Sequence, residues 1–429
     1  MTRTTSPLPG PESIARRVLP NGMIALAREN YTSPTVTING LVPAGSVAEP
    51  ASQAGLASFT ASLLTHGTER RSFAEINETV EGVGASIGVS GGQHASTFSA
   101  ECLAEDVPLI LDVLADVLQH PTFPADHVEK VRGQILTGIQ ERENDTRRMA
   151  NLTFRELIYP QHPYGRPMSG YRDTVQAITR EDLAGFYRQQ FHPKGGIVVL
   201  VGAMEPQAAL DHLEAALGSW RGTHDTDDGR QPSLAPVSEP TSVRRKDVVM
   251  AGKSQSDIVL GCIGLERRNP DFYAANLANT VLGRFGLMGR LGENVREKQG
   301  LAYYAYSALE AGMGRGPWMA IAGVNPRNVD RAIVSILEEI ERLRQEPVPP
   351  DELADVKGYI TGSLPLRLET NGGVASTLLD MEWYGLGLDY LQRYADLINS
   401  VTAEQIMAVA QKYLNPEAYV LAVAGPAES

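Results

Sequence analysis

Positions 58, 61 and 62 stand at i, i+3 and i+4 of the stretch AGLASFTASLLTHGT (54–68), so on a helix their side chains share one face. Two histidines and a glutamate at that spacing can grip and use a zinc ion. The residues are Ser58, Ala61 and Ser62, and none of them is a customary zinc ligand. The eight histidines (66, 94, 120, 127, 162, 192, 212 and 224) offer no replacement, because no two stand at i and i+4 and Pro121 breaks the helix between His120 and His127. They read as surface or hydrogen-bonded histidines. Gly252-Lys253-Ser254 echoes the end of a phosphate-binding loop, but Asp247 stands where that loop needs glycine, so no nucleotide site is expected.

The elements that must carry this face follow from periodicity and turn signals. Residues 54–68 form an amphipathic helix closing on Gly67. Before it, Pro20-Asn21-Gly22 reads as the turn of a hairpin over 17–28, followed by the alternation of Val36, Ile38 and Val42. After it come a helix over 73–83, a glycine-rich strand pair over 85–103 and a strongly periodic helix over 107–118. Pro121 and Pro124 then precede a long helix over about 125–144.

The chain repeats itself. ITREDLAGFYRQQFHPKGGIVVLVG (178–202) aligns without a gap with VTAEQIMAVAQKYLNPEAYVLAVAG (401–425), Thr179 over Thr402 at an offset of 223. Each copy is a Thr-capped helix, a proline break and an apolar strand. FPADHVEKVRGQI (123–135) matches VPPDELADVKGYI (348–360) at an offset of 225. Between the copies, residues 222–240 are polar, rich in Pro and Gly and without periodicity, which marks a linker. We therefore expect an N-terminal half over 1–221, a linker over 222–240 and a C-terminal half over 241–429. The fold class is α+β, with two duplicated halves, each a mainly antiparallel sheet packed with helices.

Composition sets the outer limits. A chain of 429 residues exceeds one ordinary domain, and 42% hydrophobic with 21% charged residues is a globular balance. No apolar run reaches the roughly 20 residues of a membrane span, so no membrane partner is expected. With 38 Lys and Arg against 51 Asp and Glu, the net charge of −13 argues against binding a nucleic-acid backbone. Cys102 and Cys262 could pair, but two buried free thiols are the simpler expectation. The first residues carry no apolar signal segment, which makes the cytoplasm the expected location.

The duplication, LPNGMIALARE (19–29) in the first half and AGLASFTASLLTHGTERRS (54–72) resemble the pitrilysin/insulinase superfamily of inverzincin zinc peptidases, including the mitochondrial-processing-peptidase type. The resemblance runs from about residue 16 to 426. In that family the helix carries H-x-x-E-H. The context of Leu63-Leu64 and Gly67-Thr68 places Ser58 at the first histidine, Ala61 at the catalytic glutamate and Ser62 at the second histidine. The family's third ligand, a glutamate on a later helix, falls at Gly138, before Glu143-Asn144-Asp145. Glu129, nearer the start of that helix, reads as an ordinary exposed residue. The resemblance thus implies four degenerate metal positions and no cofactor bound by this chain.

RLGENVREKQGLAYYAYS (290–307) is similar to the family segment in which an Arg and, seven residues later, a Tyr bind substrate; here these are Arg296 and Tyr303. A guanidinium and a phenol together can donate to peptide carbonyls and to a developing oxyanion. In the family's two-subunit bacterial branch this pair sits on the subunit without zinc. The resemblance therefore implies the non-zinc subunit of a heterodimeric metallopeptidase, with no catalytic residue in isolation and with zinc, ligands and base supplied by a homologous partner. The alternative is a structural or peptide-binding homodimer comparable to the core subunits of respiratory complexes. The glycines at 283, 286, 289 and 292 read as a flexible loop near the partner interface.

Overall fold

The computed structural model describes residues 8–222, 234, 236–284 and 288–427; most of the expected linker and Gly286 lie outside them. The chain forms two compact units, each assembled from separate stretches of sequence: one from Met1–Ile139, Pro167–Leu234 and Leu364–Arg393, the other from Gln140–Arg166, Ala235–Ser363 and Tyr394–Ser429.

The first unit holds a six-stranded sheet of β1 (Ala15–Val18), β2 (Ile24–Glu29), β3 (Thr35–Val42), β4 (Ser86–Gly91), β5 (Ser96–Leu103) and β6 (Ile197–Gly202), in the order β1-β2-β6-β3-β5-β4. Gly22, at φ +84°, makes the β1–β2 turn, and the Asn21 side chain accepts from the Met23 amide at 3.1 Å. All pairs are antiparallel except β2 with β6. Every residue of β6, IVVLVG, is buried, as a central strand covered on both faces requires. The helices encoded in the first half are α1 (Leu56–Leu63), α2 (Phe73–Gly82), α3 (Val107–Gln119), α4 (Ala125–Glu143), α5 (Thr146–Ile158), α6 (Arg172–Ala177), α7 (Arg180–Gln190) and α8 (Pro206–Leu217).

The second unit holds β7 (Arg244–Val249), β8 (Ser256–Ile263), β9 (Ala302–Leu309), β10 (Pro317–Val324) and β11 (Val420–Gly425), in the order β7-β11-β8-β10-β9. Its one parallel pair is β7 with β11. Strand for strand this repeats β2-β6-β3-β5-β4 of the first sheet. The helices encoded in the second half are α9 (Phe272–Asn279), α10 (Val329–Gln345), α11 (Pro350–Arg367), α12 (Asn371–Trp383), α13 (Tyr390–Asn399) and α14 (Ala403–Tyr413). Both repeats expected from the sequence are visible: α7 and α14 begin behind Thr179 and Thr402, each closing a capping box, and α4 and α11 start at the matching offset. The architecture is α+β, in two homologous halves.

The halves exchange one helix. α5 belongs to the second unit, where it packs on β8 and β11, while its counterpart α12 packs on β3 and β6 of the first. Phe154 of α5 is fully buried against Gly261, where a Cβ would come within 3.1 Å of the ring. On the other side, Asn39 donates to Ser376 at 3.0 Å and Asn371 donates to the Thr35 carbonyl at 3.1 Å. Cys102 and Cys262 are both free and buried, and burial pushes each thiol up to about 11. Among the described residues no helix is long and apolar enough to cross a membrane.

Candidate functional site

A buried carboxylate fixes the start of α1. Glu49 accepts from the Gly55 amide at 3.0 Å and from the Ala57 amide at 2.9 Å, so an anion meets the unpaired N–H groups of the helix N-terminus. Gly55 takes φ +102° as N-cap, and a Cβ there would lie 3.1 Å from the backbone of Ser169 and Gly170. Leu56, Phe59 and Leu63 bury the core face of α1. One 3-10 turn, Leu64–His66, then leads to Gly67.

The face with ligand spacing is partly packed, with Ser58 and Ser62 half-buried. Ala61 is fully buried, and Ser58 lies against β4 so tightly that a Cβ on Gly91 would sit 2.6 Å from the Ser58 Cα. Ser62 donates its hydroxyl back to the Ser58 carbonyl at 2.8 Å, which commits it to the helix backbone. Gly138 is exposed on α4, with nothing within 4 Å of where a Cβ would be. Glu129 pairs with Arg132 at 3.0 Å on the surface, and that hydrogen bond holds its carboxyl below the usual range. Two hydroxyls, a methyl and a hydrogen supply neither imidazole nor carboxylate, so these positions do not fit a zinc ion.

Arg296 and Tyr303 stand on two backbone irregularities of the second unit. Gly292–Lys298 is a π-helix, and its continuation is closed by the Gln299 amide donating to the Asn294 carbonyl at 3.1 Å. Leu291 and Val295 bury one side of it completely. Asn294 donates to Glu339 of α10 at 2.6 Å, Gln299 donates to Ser335 at 2.9 Å, and Arg290 makes a bidentate pair with Glu352 of α11. Arg296 faces outward, and its ion pair is with its own neighbour Glu297, at 3.3 Å.

β9 packs against that π-helix and begins with a bulge. Tyr304 pairs with Gly323 and Ala302 with Val324, which leaves Tyr303 as the extra residue. Tyr303 is 60% exposed, and among the described residues nothing hydrogen-bonds its hydroxyl. Gly283 and Gly289 are packing glycines: a Cβ on the first would lie 2.5 Å from the Ser307 amide, and one on the second 2.7 Å from the Gly283 Cα. The P-loop-like Lys253 is committed elsewhere, donating to the carbonyl and side chain of Asn144 at 2.7 and 2.8 Å.

Two family descriptions match the chain, "Insulinase (Peptidase family M16)" over residues 24–170 and "Peptidase M16 inactive domain" over 177–359. The chain belongs to peptidase family M16. It is 28% identical over 421 residues to an uncharacterized zinc protease of Streptomyces coelicolor, covering 96% of this chain and 90% of that protein. It is 23% identical over 418 residues to a probable mitochondrial-processing peptidase subunit beta of Arabidopsis thaliana, covering 95% and 77%. A crystal structure described as a peptidase M16 inactive domain from Pseudomonas fluorescens has the same fold, with a TM-score of 0.90, 24% identity and coverage of 97% and 98%.

Within this M16 chain the structure joins residues that sequence spacing kept apart. His66, at the end of α1, meets His127 of α4 with Nδ1 atoms 3.0 Å apart, and His66 stacks on Phe73 at 4.8 Å. Burial, with His127 and Lys130 close by, pushes His66 below its ordinary value. A sequence separation of 61 hid the pair from any periodicity argument. Among the described residues no group of three or more His, Cys, Asp or Glu side chains is arranged to hold a metal ion. A cleft of about 370 Å³ is lined by Asp112, Asp116, His120 and His212 and contains none of Ser58, Ala61, Ser62, Gly138, Arg296 and Tyr303.

Proposed function

We propose that this chain is the non-zinc subunit of a two-chain M16 peptidase and holds peptide substrate through Arg296 and Tyr303. The observation that carries the reading is the contrast between two regions. The face of α1 with ligand spacing carries only small residues, two of them half-buried serines, whereas Arg296, paired with its own neighbour Glu297, and Tyr303 are exposed donors set on a π-helix and a β-bulge. Such irregularities cost ladder hydrogen bonds and concentrate at functional sites. The Arabidopsis relative's name is that of a subunit, which supports an assembly with a second chain. Residues 1–221 and 241–429 are taken as the duplicated sequence halves, and the cytoplasm as the location.

In this reading the chain's own chemistry is binding and orientation. The Arg296 guanidinium and the Tyr303 hydroxyl donate to carbonyl oxygens of an extended peptide and to the oxyanion as it develops. A homologous partner carrying H-x-x-E-H supplies the metal and the base. Reconstitution tests this. The isolated chain should hold no stoichiometric zinc and cleave no peptide, and should restore cleavage when mixed with its partner. Arg296→Ala or Tyr303→Phe should lower kcat/KM about tenfold, the worth of one hydrogen bond of about 1.4 kcal/mol. Chelator-sensitive activity of the chain alone, or full activity of the partner alone, overturns the reading; the latter favours the structural homodimer.

A further inference from the structure

Tyr304 follows the bulged residue and does something unusual for a strand side chain: it crosses a neighbouring strand. In the sheet register Tyr304 of β9 lies beside Gly323 of β10, which lies beside Asp257 of β8. The Tyr304 hydroxyl donates to Asp257 Oδ1, two strands away. Only glycine leaves that path open, because a Cβ at 323 would stand 2.4 Å from Tyr304 Cε1 and 2.7 Å from Gln255 Nε2.

Asp257 is fully buried in a strand whose every residue is buried. It also accepts from Thr146 Oγ1 at 2.5 Å and from Gln255 Nε2 at 3.1 Å. Among the described residues no Lys or Arg hydrogen-bonds to it, and its carboxylate rests on hydroxyl and amide donors. Losing one of them leaves buried charge under-compensated. Arg147 of α5 lies over the Tyr304 ring at 4.9 Å and the Tyr306 ring at 5.4 Å, and donates to the Tyr306 hydroxyl at 2.6 Å. An apolar residue at 257 would avoid the cost of burying the carboxylate, so stability alone does not account for it.

We infer that Asp257, Gly323 and Tyr304 form a cross-strand brace that pins the β9 bulge and thereby sets the direction of Tyr303, which makes Tyr304 a positioning residue for substrate binding. The bulge falls between Gly323 and Val324, at the point where the brace crosses. With Tyr304 held, the extra residue can be accommodated only on its N-terminal side, at Tyr303. This extends the substrate-binding reading of Tyr303 and rests on it.

The test separates the brace from that reading. Tyr304→Phe removes one oxygen and keeps the ring under Arg147; Gly323→Ala blocks the path. Amide hydrogen exchange on the full chain should quicken at least about tenfold at residues 302–304 in both variants, with β11 unchanged. In the reconstituted pair Tyr304→Phe should lower kcat/KM about fivefold or more when Tyr303 is present, and by nothing further in a Tyr303→Phe background. Unchanged exchange in Tyr304→Phe overturns the brace, whether or not Gly323→Ala folds. Faster exchange with additive activity losses overturns positioning through Tyr303. Faster exchange with no loss from Tyr303→Phe itself overturns the substrate reading and leaves the brace standing.

Discussion

Replacing Glu49 asks whether one carboxylate seats α1, the helix that carries Ser58, Ala61 and Ser62. Both its oxygens are used, toward Gly55 and Ala57, and the residue is 4% exposed. Hydrogen bonds to a charged group net about 1.5–3 kcal/mol each, so two are worth about 3–6 kcal/mol. Removing the side chain also removes the cost of burying the carboxylate, which leaves about 2–4 kcal/mol lost in Glu49→Ala. Glu49→Gln keeps one acceptor but turns an NH2 group toward the second amide, for a loss of about 1.5–3 kcal/mol. Because the chain has two units, a single melting temperature is a poor measure. Amide exchange at Gly55, Ala57 and Phe59, with urea unfolding followed in parallel, isolates the effect. Both variants within about 0.5 kcal/mol of wild type would refute the argument, since α1 would then be held by its apolar face alone.

Gly91, which packs on Ser58, and Gly138 of α4 should respond in opposite directions to alanine. Gly91→Ala drives a Cβ into the backbone of Ser58 and should destabilise by about 1–3 kcal/mol, whereas Gly138→Ala meets open space on a helix and should stabilise by up to about 1 kcal/mol; urea midpoints compare them. His66 gives the fold a pH dependence. Its pKa is held below 6.5, so just below pH 6.5 the unfolded chain binds a proton that the folded chain refuses. Stability should therefore fall as pH drops through that window, with the loss complete below the folded pKa. His66→Gln should flatten this part of the stability profile between pH 7.5 and 5.5.

Local signals carried much of the fold. The Thr179 and Thr402 caps, the Asn21-Gly22 turn and the two offsets identified the duplicated αβ units, because capping and turn chemistry act within a few residues. The helix exchange was not legible: nothing in the sequences of α5 and α12 says which sheet their apolar faces will cover. The π-helix and the bulge were equally hidden. GENVREK reads as an ordinary helix, and the extra residue at 303 appears only once β9 is set in register against β10. The link from Asp257 to Tyr304 across Gly323 joins residues 47 apart in sequence, beyond the reach of local pattern. Long-range pairing decides such sites, and single-sequence periodicity does not record it.

The exchanged helices bear on how such a chain arose. Half of this protein, translated by itself, would carry a helix that its own sheet does not use and a sheet face awaiting a helix from elsewhere. Two copies of such a half would satisfy each other by trading helices, as domain-swapped dimers do. Joining the two genes end to end would turn that trade between molecules into one within a single chain, independent of concentration. Once both copies travelled together, each was free to diverge. The first now carries Ser58, Ala61 and Ser62 on α1, and the second carries Arg296 and Tyr303.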